Sequence, residues 1–212
     1  MSIEPNDPLE QSLRELTWWP DVAPGLWKQA LRVSERKAGA QGACLDLSNR
    51  VFESVAELSV LISASGDIET VDFTGVALSS DDRKTLMARY PDVHFIWTVD
   101  VWGATISSED TEVTFDTKKQ GTFAELCDAL DCLPNLQKAY MWRAKLSRDE
   151  RNTLYFGYPN VFFGWEIKLT SAHTIHTDMT AFSTLSKSPG LHAFNMWNFV
   201  FCPDLLALDV GH

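Results

Sequence analysis

The 212-residue chain has little with which to hold nucleic acid, cross a membrane or build a disulfide framework. Lys and Arg number 18 against 29 Asp and Glu, for a formal net charge of −11. Phosphate binding depends on clustered Lys and Arg, so nucleic acid is not an expected partner. The longest apolar runs fall far short of the roughly 20 residues of a membrane helix, so no membrane insertion is expected. Met1 to Glu10 offer neither a basic n-region nor an apolar h-region. Without that signal the expected location is the cytoplasm by default. Cys44, Cys127, Cys132 and Cys202 are scattered with no CxxC, which reads as buried thiols. The eleven glycines stand singly, with no phosphate loop and no G-x-S-x-G elbow. No cofactor is expected. What remains is an acidic globular chain of ordinary composition, 45% hydrophobic and 22% charged.

Against these absences stands a repeat. Tyr90-Pro91-Asp92-Val93-His94-Phe95-Ile96-Trp97 returns 68 residues later as Tyr158-Pro159-Asn160-Val161-Phe162-Phe163-Gly164-Trp165. Fourteen of 46 residues are identical between 54–99 and 122–167, where chance gives about three at typical residue frequencies. Repetition on this scale is the mark of a stacked architecture. Alternation of apolar and polar residues predicts short strands near Leu45, Val71 and Phe95, with their echoes at Val113, Ala139 and Phe163. The spacings between them are 26, 24 and 18 residues, which make up the repeat of 68. Val55, Leu58, Leu61 and Ile62 mark one helix face, and Leu86, Met87 and Tyr90 another, ended by Pro91. Ser79 with Asp82, and Ser147 with Glu150, have the spacing of capping boxes. After the third strand of each copy comes a polar loop with no helical period. A third, shortened copy is read at Pro189-Gly190-Leu191 through Asn195-Met196-Trp197.

The expected organisation is a helical cap over 1–43 and a repeated part over 44–212, with units 44–111, 112–180 and a partial 181–212. Leu9, Leu13 and Leu16, then Leu26, Trp27, Ala30 and Leu31, supply the helical spacing of the cap. The chain ends on Leu205 to His212, a run on the L-x-x-L-x-L-x-x pattern with Val210 in the third apolar place, which stops before the next expected Asn. Either the natural protein continues there or this is a fragment of one.

Those residues carry a family resemblance. Leu-Asp-Leu-Ser at 45–48, Pro-Asn-Leu-Gln-Lys at 134–138 and the run at 205–212 resemble leucine-rich repeats, whose coils take roughly 20–29 residues. The blocks L-S-x-D-[DE]-R-x-T-L-x-x-x-Y-P-[DN]-V-x-F-x-W from Leu78 and Leu146 resemble a variant found in bacterial leucine-rich-repeat proteins. Ile175 to Thr180 has a similar counterpart there. The chain departs from the pattern in its irregular third coil and at Gly75, Val76, Arg143 and Ala144, where Asn is expected. The resemblance implies an α/β fold: a solenoid with parallel strands on the concave face and helices and loops outside. It also implies a non-catalytic module that binds a protein or peptide partner.

Comparison between the copies separates two classes of position. Ile68/Leu136, Val93/Val161, Phe95/Phe163 and Trp97/Trp165 are alike and are expected to point inward. The outward positions differ: Asp72 against Tyr140, Thr74 against Trp142, His94 against Phe162, Ile96 against Gly164, Thr98 against Glu166. Asn195 and Trp197 extend this row in the third copy. Accessible aromatic residues on a sheet face are typical binding anchors. The expected binding residues are therefore Asp72, His94, Tyr140, Trp142, Phe162, Glu166, Asn195 and Trp197. Loops folded over this face, or an in/out assignment shifted by one, would bury the same rings instead. His173, His176 and Asp178 have the residue types of a metal site but not converging geometry, so no metal is expected. Two other readings stay open. One is a structural spacer or terminal fragment of a larger surface protein. The other is a hydrolase whose active site converges from distant positions.

Overall fold

The computed structural model describes residues 44–52, 54–185 and 190–210; the expected helical cap over 1–43 lies outside them. The chain divides into two compact units at Thr98/Val99, ahead of the repeat boundary read from the sequence. The architecture is mixed α/β, with small parallel and antiparallel sheets and no closed barrel among the described residues.

The first unit runs β1 (Cys44–Asp46), α1 (Val55–Ala64), β2 (Thr70–Asp72), α2 (Ser80–Arg89) and β3 (His94–Ile96). The three strands pair in parallel in chain order, with Cys44, Thr70 and His94 in register. These are the spacings of 26 and 24 residues read from the sequence. Leu45, Val71 and Phe95 form one buried rung, and Leu47, Phe73 and Trp97 the next. Phe73, Phe95 and Trp97 stack on one another, with centroids 6.0 and 5.5 Å apart. Asp46 and Asp72 end their strands by turning a carboxylate back onto the chain. Asp46 Oδ1 accepts from the Ser48 amide at 3.0 Å and Asp72 Oδ1 from the Thr74 amide at 2.8 Å, the Asx-turn role of aspartate. Helix α2 begins with the expected capping box: Asp82 N–H donates to Ser79 Oγ and Ser79 N–H to Asp82. At its other end Tyr90 donates its hydroxyl to the Ser59 carbonyl on α1 at 3.0 Å.

The stretch expected to be a polar loop contains a hairpin. β4 (Thr98–Val101) and β5 (Ala104–Ser107) are joined by Trp102 and Gly103 alone, both left-handed at φ 48° and 74°. Such a two-residue turn closes an antiparallel pair. Trp102 tolerates the conformation because its ring is buried, packs against Phe115 at 5.7 Å and donates Nε1 to the Thr122 carbonyl. β6 (Glu112–Thr114), α3 (Phe123–Leu130), β7 (Lys138–Tyr140), α4 (Arg148–Gly157) and β8 (Phe162–Gly164) then repeat the first unit's order. Glu112, Lys138 and Phe162 share a register, and the strands are again parallel. Phe163 and Trp165 stack at 5.5 Å, the same distance as Phe95 and Trp97. The second capping box, Ser147 with Glu150, also forms, and Tyr158 repeats the role of Tyr90 by donating to the Cys127 carbonyl.

β9 (Glu166–Lys168) and β10 (Thr174–His176) make a second antiparallel pair. β11 (Ala181–Ser183) and β12 (Ala207–Asp209) pair in parallel. Between these last two strands lies a nine-residue 3₁₀ helix, Ala193–Phe201. This overturns the placement of the third copy's strand at Asn195-Met196-Trp197. Asn195 to Trp197 is helical, and the strand that corresponds to β7 is β12. The true echo of Pro134-Asn135-Leu136 is Pro203-Asp204-Leu205, and the 3₁₀ helix stands in the place of α3.

The fully buried Thr177 stitches the β9–β10 hairpin to β8. Its Oγ1 donates to the Phe163 carbonyl and accepts from the Trp165 amide, both at 2.8 Å. Thr177→Val keeps the shape but leaves two backbone groups buried without those partners. It should cost about 1–3 kcal/mol per orphaned group in denaturant unfolding, while Thr177→Ser should cost clearly less.

Candidate functional site

The second unit gathers rings on the solvent-facing side of β7, β8 and β10. Tyr140 ends β7 and Trp142 follows it two residues on, so both point to the same side. Their rings stack at 5.4 Å and 28°. Phe162, at the start of β8, meets Tyr140 edge-on at 6.0 Å, and His176, at the end of β10, meets Trp142 at 5.2 Å. The result is a continuous row Phe162–Tyr140–Trp142–His176, with the three aromatics half-buried and His176 exposed. Glu166 pairs with His176 across the hairpin and lies in register beside Trp142, whose carbonyl accepts its N–H at 2.9 Å. Its carboxylate is 4.0 Å from Arg143 Nε.

Gly164 makes the row fit. A Cβ at this position would collide with Tyr140 Cδ1 and come within 3.1 Å of the Trp142 ring. The first unit has Ile96 at the corresponding place, opposite Asp72 rather than Tyr140. Thus the exchange of Ile for Gly and the gain of two rings are one packing event.

The other expected binding residues are dispersed. Asp72 is half-buried and occupied with the Thr74 turn. His94 is exposed on β3. Asn195 is 3% exposed and is not on a strand. Its Oδ1 accepts from the His192 amide and its Nδ2 donates to the Leu169 carbonyl at 2.9 Å, so it is a structural cap. Trp197 is exposed on the 3₁₀ helix, in line with Phe194 and Val200 at the three-residue spacing that eclipses side chains on such a helix. The strand row therefore keeps Tyr140, Trp142, Phe162 and Glu166 and gains His176, which sequence reading weighed only as a metal ligand. Its proximity to Trp142 depends on the antiparallel register of the hairpin, for which the sequence carries no local signal.

Beside the row lies a cavity of about 760 Å³. Phe163, Trp165 and Phe201 are its buried lining, and Tyr155, Phe156 and Phe162 its more exposed one. Phe201 brings the end of the 3₁₀ helix onto Trp165 at 5.1 Å and Tyr155 at 5.4 Å. Trp165 keeps a buried indole N–H without a hydrogen-bond partner.

None of the four cysteines is in a disulfide: Cys132 and Cys202 are buried, Cys44 and Cys127 half-buried. Burial, reinforced by Asp178, pushes the Cys202 thiol up to about 11. Burial also raises Cys127, despite the opposing hydrogen bond with Tyr158. Both are thus protonated near neutral pH, which disarms them as nucleophiles. His173 is buried edge-on against Phe182 at 5.8 Å while His176 is exposed in the row. Among the described residues no group of three His, Cys, Asp or Glu could hold a metal ion, and no helix is long and apolar enough to cross a membrane. Comparison with protein-family models, with curated proteins and with solved structures finds no match for this chain.

Two outcomes follow from this geometry. Gly164→Ile restores the residue that the first unit carries and should push Tyr140, and Trp142 stacked on it, from their seats. The near-ultraviolet dichroism of the stacked rings should fall, at a cost of about 1–3 kcal/mol from overpacking. For Cys202, the folded thiol ionises near pH 11 and the unfolded one near its ordinary 9.0. Its stabilising contribution is complete below pH 9 and is lost as pH rises towards 11. Wild-type stability should fall across that window more steeply than that of Cys202→Ala.

Proposed function

We propose that the chain is a leucine-rich-repeat-like solenoid of parallel coils that binds a protein or peptide on the strand face of its second unit, without catalysis of its own. Two parallel three-stranded ladders with the same 26- and 24-residue spacings, followed by a β11–β12 pair again 26 residues apart, support the coil reading. The observation that carries the binding reading is the row Phe162–Tyr140–Trp142–His176. The first unit folds with His94, Asp72 and Thr74 where the second has Phe162, Tyr140 and Trp142. The strand ladder does not demand rings there, so their presence calls for another use. Aromatic side chains give large, stiff contact area and dominate the energetics of interfaces. The titratable groups beside the rings, His176 and Glu166, suit orientation of a partner by hydrogen bonds. With the two cysteines noted above held as neutral thiols, the row offers contact rather than a nucleophile.

The test is direct. Peptides selected from a displayed random 12-residue library on the whole chain should bind Trp142→Ala about tenfold or more weakly than wild type, as central interface rings do. The melting temperature should drop by no more than about 4 °C, the shift that 1 kcal/mol gives at this size. Unchanged affinity in Trp142→Ala, or a collapse of the fold, would remove the row from the binding role.

A further inference from the structure

We propose that the 760 Å³ cavity beside the row is an anchor pocket, which takes one bulky apolar side chain of the peptide that lies along Phe162–Tyr140–Trp142–His176. The inference rests on the strand-face reading above and deepens it, since it names the chemistry of the partner.

Continuity comes first. Phe162 belongs to both features: its ring contacts Tyr140 in the row and lines the cavity. A segment that covers the row is therefore brought to the cavity's mouth. The second point is internal comparison. On α4, Tyr155 and Phe156 stand where α2 has Met87 and Ala88, just as Tyr140, Trp142 and Phe162 stand where the first unit has Asp72, Thr74 and His94. The second copy gained rings at the row and at the cavity together, and at positions where the first copy folds without them. Tyr155 has a packing role against Phe201. Phe156 meets Tyr155 edge-on at 5.1 Å, yet it is 69% exposed and lines the cavity. A large apolar ring held in water beside an apolar cavity is what a partner would cover.

The chemistry follows from the walls. Phe163, Trp165 and Phe201 are buried and carry only one polar group, the unpaired indole N–H of Trp165. Such a lining favours an aromatic or branched aliphatic side chain and penalises a charged one. Gln137, Lys138 and Asn160 are exposed lining residues that suit the peptide's polar main chain.

The experiment uses peptides selected from a displayed random 12-residue library, fluorescein-labelled and titrated by polarisation onto the whole chain. The variants are Trp142→Ala in the row, Phe156→Ala at the cavity's exposed side and Val161→Trp to obstruct the cavity. We expect the selected peptides to share one Phe, Trp, Leu or Ile whose change to Ala weakens binding about tenfold or more. The same peptides should lose comparable affinity for Phe156→Ala and Val161→Trp, and the Ala-substituted peptide should no longer distinguish these variants from wild type. Peptides that need Trp142 but bind both cavity variants as wild type would overturn the anchor pocket and leave the strand-face reading in place. Peptides indifferent to all three changes, or a selection that enriches nothing, would overturn both. If melting shows Val161→Trp to be unfolded, Phe156→Ala decides alone, because its side chain is largely outside the core.

Discussion

The stacked pair of rings on the third strand of each copy is the constraint on which the rest depends. Phe95 and Trp97 stack at 5.5 Å and 10°, and Phe163 and Trp165 at 5.5 Å and 8°. Alternate residues on a strand face the same side, so one ring pair two residues apart fixes which face of the strand is inside. A slip of one residue would turn two large rings into water and draw His94 and Ile96, or Phe162 and Gly164, inward. Parallel pairing then carries that choice to the neighbouring strands. The tyrosine that ends the preceding helix adds a second tie, because its hydroxyl reaches a carbonyl on the helix before that one. Helix, turn and strand are thereby held in one phase, and the same phase appears twice.

A fixed inside leaves the outside free to change, and the changes on the second unit's face are coordinated. Two rings on β7 and just after it could not lie flat against a neighbour that bore an isoleucine. Gly164 supplies the space, and the close approach of the two rings is why a residue weak in strands stands there. The first unit shows the opposite solution, with small polar residues at Asp72 and Thr74 engaged in a turn. Since both solutions support the same ladder, the difference lies in what the face presents to its surroundings.

Much of this was legible in the sequence wherever period and capping act locally. The strand spacings of 26 and 24 became the parallel registers, and the Ser79 and Ser147 capping boxes formed as expected. The capping box of Thr122 and Glu125 on α3 has the same spacing and could have been read with them. Legibility failed where the backbone leaves common regions or where composition imitates a motif. Trp102 at positive φ closes a hairpin that no propensity announces, because its tolerance comes from burial and a hydrogen bond to Thr122. Asn195-Met196-Trp197 resembles the β7 segment in composition, but those residues follow a three-residue period with Asn195 and Phe201 buried and Phe194, Trp197 and Val200 exposed. That period belongs to a 3₁₀ helix, and the shift of 69 residues seen elsewhere after the second copy places β12 in the strand instead.

The one-residue slip between copies also explains how a histidine reaches the aromatic row. The shift of 68 becomes 69 between the two hairpins, so Thr177 corresponds to Ser108, and both are fully buried. In the second copy that buried hydroxyl grips Phe163 and Trp165 from one side, which fixes the distance between β8 and the strand that precedes Thr177. His176, the residue before it, must then face the other way, over the side where Trp142 lies. The anchor that closes the hairpin onto the inner rings is thus the same one that sets the end of the outer row. Inner and outer faces are two consequences of one strand alternation, and a ligand that met the outer row would meet geometry set by the core.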